Sequence, residues 1–273
     1  KRKAYFGDFR KINIGDDTTA WKPNERIIGL YRAVADDSER AGWRLEYETL
    51  TVTERTMKLR GTHRAGDCRP IAVPKSNVLA SRQQKGFGLQ TAAMASVMSA
   101  RGTSIAVANN INTVWTMARH AAESVPKFDV VPDDVRLVQD FLKTEMSQSF
   151  ELIKMLDHGV GVHHAGLSDE IQTLMEWLAE SGHLRILCAT STIAQGINFP
   201  VSSIFLASRF VPQGRQSVEM SPREFWNLAG RAGRIGHDSV GVVGLAEGKD
   251  RDAIIDFVRR NTGTHASRLV ALL

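Results

Sequence analysis

The chain has 273 residues, 42% of them hydrophobic and 24% charged, which is typical of a globular protein with a sizeable core. Its formal net charge of +5 favours an anionic partner without establishing one. Two cysteines without a CxxC pair exclude a disulfide framework, and the lack of a long apolar run or signal peptide predicts a cytoplasmic protein without a membrane span.

The first 85 residues favour short strands and turns. Residues 27–31 (IIGLY) and 43–52 (WRLEYETLTV) are rich in residues that prefer strands, and the second segment alternates roughly between apolar and polar side chains. Residues 61–85 are basic and punctuated by glycine and proline, which is typical of a loop or an interdomain linker. We therefore expect an irregular, β-rich segment before the main domain.

After residue 85 the pattern changes to short apolar strands separated by helices. Strands are predicted at 103–108, 159–164, 184–189, 202–207 and 240–246. Helices are predicted at 89–99, 113–123, about 133–156, from 169, from 222 and at 250–260. Ser168 and Ser221 are the predicted N-caps, the second with Pro222 and Glu224 in a capping box. This alternation predicts an α/β fold with a parallel sheet and helices on both faces, in which ligands gather beyond the carboxyl ends of the strands.

Three polar stretches lie at the ends of these elements. GVGVHHAGLSDE (159–170) and ATSTIAQGINFP (189–200) each follow a predicted strand, and NLAGRAGRIG (227–236) closes a helix. The third places Arg231 and Arg234 among small residues, and two such guanidiniums suit a polyanion because each can make bidentate hydrogen bonds to phosphate oxygens. For this stretch alone, a glycine-rich turn whose arginines face water is the alternative.

In this order and spacing, the three stretches resemble motifs of superfamily 2 helicases, most closely those of the superkiller-like group, which is related to the DEAD/DEAH-box proteins. The resemblance extends over roughly residues 103–260 and implies the second of two RecA-like motor domains. It divides the chain into the end of the first motor domain with the interdomain linker (1–85), the second RecA-like domain (86–265) and the start of a truncated C-terminal extension (266–273). Since the sequence holds no GxxxxGK[ST] phosphate loop and no DExH box, we expect the rear part of a longer helicase.

The resemblance implies that ATP with Mg²⁺ lies in the cleft between two motor domains and is bound mainly by the first one. Arg231 and Arg234 are then the arginine fingers that stabilise charge on the transferred phosphoryl group. The other residues implied to approach the nucleotide are Gly196, Asn198, Asn227 and Gly230. Relatives usually carry glutamine at the position of Asn227 and often aspartate at that of Asn198.

The resemblance also implies contacts to the backbone of single-stranded nucleic acid. The implied residues are Asn109, His163, His164, Gly166, Thr190, Ser191 and Thr192. Structural alternatives remain open: a Ser/Thr-rich turn that satisfies its own backbone, a core or capping role for His163, and a turn role for Asn109. A zinc site built on the histidines is not favoured, because no cysteine or carboxylate completes a tetrahedral set.

The leading hypothesis is the C-terminal motor domain of an ATP-dependent helicase or translocase, whose partners are single-stranded DNA or RNA and the first RecA-like domain. A non-hydrolysing nucleic-acid-binding or scaffolding module and a duplex DNA translocase without unwinding are the alternatives. We expect the fragment alone to hydrolyse essentially no ATP. The implied backbone contacts do not choose between DNA and RNA. For the leading hypothesis, neither arginine should be locked against carboxylates of its own domain, far from the strand ends that carry Thr190–Thr192.

Overall fold

The computed structural model describes residues 26–35, 43–52, 58–59, 87–193, 201–214, 216–233, 241–247, 251–258 and 260. The strands are β1 (Arg26–Ala35), β2 (Trp43–Val52), β3 (Lys58–Leu59), β4 (Ser104–Ala108), β5 (Val160–His163), β6 (Ile186–Thr190), β7 (Ser203–Leu206), β8 (Phe210–Gln213), β9 (Gln216–Glu219) and β10 (Gly241–Ala246). The helices are α1 (Phe87–Met98), α2 (Ile111–Ser124), α3 (Asp133–Glu145), α4 (Glu151–Leu156), α5 (Asp169–Glu180), α6 (Pro222–Ala229) and α7 (251–258).

Eight of these strands form one sheet in the order β3-β2-β1-β10-β7-β4-β6-β5. Six neighbouring strands, from β1 to β5 in that order, run parallel, whereas β2 is antiparallel to β1 and β3 to β2. Strands β4, β5, β6, β7 and β10 are buried along their whole length, as expected of parallel strands covered on both faces. The fold is therefore the α/β fold with a parallel sheet that the alternating pattern predicts, and it agrees with the RecA-like fold that the resemblance to helicases implies.

Right-handed connections distribute the helices over the two faces of the sheet. The chain passes from β4 through α2 outward to β5 and then returns through α5 to β6, so that α2 and α5 lie on opposite faces. Helix α1 packs against α2 and the central strands. Because both faces are covered, the polar residues of β4, β5, β6, β7 and β10 are confined to the strand ends, where the loops begin.

The two long N-terminal strands belong to the same sheet as the helicase-like motifs, a pairing that the strand pattern of residues 27–52 did not indicate. Strand β1 lies parallel to β10, and its buried Tyr31 donates through the hydroxyl to the carbonyl of Leu206 at 2.9 Å. Arg32 forms ion pairs with Glu46 at 3.1 Å and with Glu247 at 3.0 Å. Backbone pairing, a buried hydroxyl and ion pairs thus hold this segment on the sheet.

One helix prediction is wrong. Residues 133–156 do not form a single helix but two, α3 and α4, because the chain leaves the helix at Met146, whose φ is −107° and ψ −79°. A turn follows, in which the backbone N–H of Phe150 donates to the carbonyl of Ser147 at 3.1 Å. The ring of Phe150 then packs edge-to-face on Trp115, with centroids 5.9 Å apart. The helical periodicity of the sequence gives no indication of this tertiary contact.

Both predicted N-caps are confirmed. Ser168 Oγ accepts the backbone N–H of Ile171 at 3.4 Å and begins α5. Ser221 begins α6 with a complete capping box, in which Glu224 returns a hydrogen bond to the Ser221 backbone N–H at 2.7 Å. These caps set where each helix starts, and therefore fix the turns that carry the polar stretches.

In the described part of the chain, no helix is long and apolar enough to cross a membrane.

Candidate functional site

Three neighbouring strands end together and bring two of the polar stretches to one edge of the sheet. Ala108, the last residue of β4, pairs with Thr190 at the end of β6, and His163 at the end of β5 pairs with Ala189. The loops after β4, β6 and β5 therefore lie side by side at the carboxyl edge of the sheet. This edge is where a parallel α/β sheet usually binds its ligands.

The turn after β6 presents hydroxyl groups at the centre of this edge. The hydroxyls of Thr190 and Thr192 are 2.8 Å apart and share a hydrogen bond in which either can donate. Thr190 is buried, Ser191 is half-buried and Thr192 is exposed. The exposed hydroxyl can thus be reached by a ligand, while its buried partner orients it.

The two asparagines after β4 have different surroundings. Asn110 is the N-cap of α2, and its side chain accepts the backbone N–H of Thr113 at 2.8 Å. Asn109 is half-buried, and among the described residues its side chain makes no hydrogen bond. The turn role that asparagine often has is therefore filled by Asn110, which leaves the Asn109 amide available for a ligand.

Both histidines after β5 are buried and have internal contacts. His163 Nε2 lies 2.8 Å from Glu176 Oε1, and His164 Nδ1 accepts the backbone N–H of Gly166 at 3.0 Å. The second ring nitrogen of each, His163 Nδ1 and His164 Nε2, is buried without a partner among the described residues. Burial, reinforced by the neighbouring His163, lowers the pKa of His164. The core or capping role that the sequence left open for His163 matches this geometry.

The turn from β5 into α5 has little room for a further anion. Gly166 is exposed and its N–H is used by His164, while the N–H of Leu167 donates to the His164 carbonyl at 3.0 Å. Glu170, in the first turn of α5, has a pKa lowered by hydrogen bonds from its own backbone N–H and from the Ser168 hydroxyl. The start of α5 therefore carries its own carboxylate, and the side chains available to a ligand at this edge are those after β4 and β6.

The third polar stretch lies at the opposite edge of the sheet. Ala232 forms a parallel bridge with Val201, which precedes β7, and a Cβ added to Gly241 at the start of β10 would lie 2.4 Å from the Ala232 carbonyl oxygen. The loop 230–233 is thus packed on the amino ends of β7 and β10. The described part of this loop, residues 230–233, and the Thr190–Thr192 turn accordingly lie at opposite ends of the parallel strands.

Arg231 in this loop and Asn227 in α6 lie next to each other. Arg231 Nε donates to the carbonyl of Asn227 at 3.2 Å, one helical turn earlier, and both residues are accessible to solvent. In the described residues no carboxylate pairs with Arg231, and burial lowers its pKa. A cation that is half-buried without a counter-ion favours the arrival of an anion. Hence Arg231 is not locked against carboxylates of its own domain.

Glycine is required at two positions of this loop by local geometry. A Cβ on Gly230 would lie 2.5 Å from the carbonyl oxygen of Trp226. Gly233 has a φ of +97°, a conformation that other residues rarely adopt. The remaining predicted nucleotide-proximal residues, Gly196, Asn198 and Arg234, lie outside the described residues. In the described ranges, no group of three or more histidine, cysteine or acidic side chains is placed to hold a metal ion.

Two residues in these surfaces were missed by the sequence interpretation. Glu176, about two turns into α5, pairs with His163, and Arg26 at the start of β1 donates to the carbonyls of Gly230 at 2.6 Å and Ala232 at 3.1 Å. Neither belongs to a motif, and Arg26 is more than 200 positions from its partners. No local signal in the sequence could have identified Arg26.

Comparison with curated proteins finds similarity to helicases. Antiviral helicase SKI2 of Saccharomyces cerevisiae is 37% identical over 99 residues, which are 36% of this chain and 8% of that protein. The U5 small nuclear ribonucleoprotein 200 kDa helicase of Drosophila melanogaster is 34% identical over 106 residues, 37% of this chain and 5% of that protein. ATP-dependent DNA helicase Hel308 of Pyrobaculum calidifontis is 27% identical over 256 residues, 90% of this chain and 35% of that protein. The chain thus spans a minor part of each relative's length, and no protein-family model matches it.

Proposed function

Because this chain belongs to the superkiller-like (Ski2-like) group of superfamily 2 helicases, we propose that residues 86–265 act as the second motor domain of an ATP-dependent helicase or translocase. In this proposal residues 1–85 contain the end of the first motor domain and the linker, and residues 266–273 begin a further extension. The observation that carries it is the separation of two surfaces on one sheet. At the amino edge lies a loop whose Arg231 has no carboxylate partner among the described residues, and at the carboxyl edge lie the exposed Thr192 hydroxyl and the half-buried Asn109 amide.

The amino-edge loop is the nucleotide side of the proposed motor. Arg231 has a half-buried guanidinium without a carboxylate partner among the described residues, and its free N–H groups suit the oxygens of a triphosphate. Asn227 lies one helical turn before Arg231, and Gly230 between them has no side chain that would collide with the Trp226 carbonyl. Arg234, Gly196 and Asn198 complete the proposed set from the sequence. These arginines act as fingers that stabilise negative charge during phosphoryl transfer.

Magnesium is assigned to the other motor domain. The described residues of this chain hold no carboxylate cluster for a divalent cation, whereas the arginine loop fits the phosphate oxygens. When bound, Mg²⁺ neutralises charge on the phosphate groups. The task of this chain is then to supply donors from the opposite side of the cleft, which is why we expect the chain alone to have essentially no ATPase activity.

The carboxyl edge is the nucleic-acid side. Asn109, Ser191 and Thr192 offer neutral donors to backbone phosphates of a single strand, with the buried Thr190 orienting Thr192. His163, His164 and Gly166 hold the neighbouring turn in place through their internal hydrogen bonds. Contacts of this kind carry little base sequence information, so DNA and RNA are both candidate partners.

Residues 191–201 connect the two surfaces directly. The chain leaves the carboxyl edge after Thr190 and reaches the amino edge at Val201, which is bonded to the arginine loop through both its N–H and its carbonyl.

The test measures ATP hydrolysis by the complete polypeptide that contains this chain, titrated with single-stranded DNA, single-stranded RNA and duplex DNA. We expect strong stimulation by single strands and a loss on the order of a thousandfold in Arg231→Ala, with nucleic-acid binding retained. If the wild type hydrolyses ATP and Arg231→Ala does so at the same rate, Arg231 has no catalytic role. Binding without any hydrolysis would favour a scaffolding module, and stimulation by duplex without strand separation would favour a duplex translocase.

A further inference from the structure

The arginine loop is held from two sides by hydrogen bonds to its backbone. The carbonyl of Arg231 accepts the N–H of Val201 at 3.0 Å, on the side of β7. On the side of β1, the guanidinium of Arg26 donates through Nη2 to the Gly230 carbonyl at 2.6 Å and through Nε to the Ala232 carbonyl at 3.1 Å. Three consecutive carbonyls, centred on Arg231, are therefore fixed by neighbours from outside the loop.

This arrangement leaves the Arg231 side chain little backbone freedom. Gly230 is the C-cap of α6, where the last carbonyls of a helix have no partner within the helix and where a cation is favoured. A guanidinium can satisfy two carbonyls at once because its N–H groups form a rigid fork, which the ammonium group of lysine does not provide. Arg26 thus meets the bonding requirement of a helix end and sets the direction in which the next residue leaves it.

Arg26 also connects this loop to the segment that enters the domain. It is the first residue of β1 and pairs in register with Gly241, the first residue of β10, so it lies where both strands begin. The main chain of Gly241 touches the same loop, since a Cβ there would lie 2.6 Å from the Gly233 nitrogen. Any displacement of the start of β1 is therefore transmitted to the carbonyls on either side of Arg231.

We propose that Arg26 is a positioning residue for the nucleotide-facing arginine loop. Through Arg26, the segment that leads into the domain determines the orientation of the Arg231 side chain. The inference rests on the proposed role of that loop at the interdomain ATP site. Arg26 does not contact the nucleotide. It holds the backbone so that the Arg231 guanidinium is placed correctly when the two motor domains close.

The test is a double-mutant cycle in the complete polypeptide, with single-strand-stimulated ATP hydrolysis as the measurement. Arg26→Met removes the guanidinium and keeps the apolar stem, and we expect kcat to fall by about 10- to 100-fold, as for a misplaced catalytic group, with little change in KM. Adding Arg26→Met to Arg231→Ala should cause no further loss, because one residue acts through the other. Arg26→Lys, which can bond one of the two carbonyls, should recover part of kcat.

Arg185→Met is the matched control, because Arg185 also donates to a main-chain carbonyl, that of Pro126 at 2.6 Å, and makes no hydrogen bond to the arginine loop. It should lower thermal stability without lowering kcat. Wild-type kcat in Arg26→Met, or losses that multiply in the double variant, would overturn the positioning role. If Arg26→Met does not fold, full kcat in a folded Arg26→Lys would do the same. Full activity in Arg231→Ala would instead refute the proposed function of the loop, and the two failures are therefore distinguishable.

Discussion

Asn110 accepts a hydrogen bond from the backbone N–H of Thr113 at 2.8 Å, and this bond separates the roles of two adjacent asparagines. Asn110 is committed to the first turn of α2. Asn109, at the end of β4, lies half-buried at the carboxyl edge with its amide free of hydrogen bonds to other described residues. Two residues of identical chemistry at adjacent positions therefore allow a comparison between a structural asparagine and one that is proposed to bind a ligand.

We expect Asn109→Ala and Asn110→Ala to change different properties of the protein, the first its affinity for single strands and the second its stability. Asn109→Ala should weaken single-strand binding by about 2- to 10-fold, the value of one neutral hydrogen bond, with unchanged thermal stability. Asn110→Ala should lower the free energy of unfolding by about 1 kcal/mol through loss of the cap, with unchanged affinity. Fluorescence anisotropy and urea denaturation measure the two quantities. If Asn109→Ala binds single strands as tightly as Asn110→Ala does, Asn109 is not part of the proposed nucleic-acid surface.

The helix starts and the buried strands could be predicted because their signals are local. The capping box of Ser221 and Glu224 is a spacing of three residues, and β10 is an uninterrupted apolar run. The same local pattern overextended the helix from Asp133, since the break at Met146 is stabilised by the distant contact between Phe150 and Trp115. Periodicity contains no information about such tertiary contacts.

The strand order and the location of the arginine loop depend on contacts between distant residues. Strand β1 pairs with β10, and Arg26 bonds to residues more than 200 positions away, so no window of sequence shows either contact. The edge on which the arginine loop lies follows from topology, because a loop that leads into a parallel strand must lie at the amino end of that strand. The resemblance to helicase motifs predicts candidate residues, but it contains no information about the distance between the two surfaces.

Gly241 provides a test of the packing between β10 and the arginine loop. Its Cβ position in an alanine variant lies 2.4 Å from both the carbonyl carbon and oxygen of Ala232, so the loop must shift. We expect Gly241→Ala to cost about 1–3 kcal/mol in urea denaturation of this chain, as for an overpacked core. In the complete polypeptide, the same substitution should lower ATP turnover, because the displaced segment includes Arg231.

Gly182→Ala is the control for this substitution. Gly182 has a φ of +77° and no atom within 4 Å of an added Cβ, so alanine there should cost about 1–2 kcal/mol from backbone strain alone. Its ATP turnover should equal that of the wild type. If Gly241→Ala is destabilised but hydrolyses ATP at the wild-type rate, the orientation of the Arg231 side chain does not depend on this packing.

Stability should fall as the pH is lowered through the titration range of histidine. Burial lowers the pKa of both His120 and His164 in the folded chain. The unfolded chain therefore binds more protons than the folded chain below about pH 6.5, and each group removes at most about 1.4 kcal/mol per pH unit from the free energy of unfolding. Urea denaturation from about pH 7 to about pH 5 measures this slope.

His120→Gln and His164→Gln should each make that slope shallower, because glutamine does not titrate. The effect is expected in this chain alone and does not depend on the proposed function. His164→Gln has an additional use, since its side chain can still accept the Gly166 N–H and keep the turn after β5. A slope that is unchanged in both variants would show that other groups cause the pH dependence.

Thr192 provides the last test, of the kind of contact at the carboxyl edge. Its exposed hydroxyl is oriented by Thr190 at 2.8 Å, and valine has the same shape without the hydrogen bond. Thr192→Val should weaken single-strand binding by about 2- to 10-fold for every base sequence. The slope of log affinity against log salt should stay constant, because a neutral hydroxyl releases no counterions.

Thr144→Val is the matched control, because the Thr144 hydroxyl bonds within α3 to the Asp140 carbonyl at 3.0 Å and belongs to none of the loops that follow β4, β5 and β6. Its affinity should equal that of the wild type. A loss in Thr192→Val that depends on base sequence would mean that the turn reads bases and does not hold the phosphate backbone. A change in the salt slope would mean that the substitution displaced a cationic contact, since only charged groups contribute to that slope.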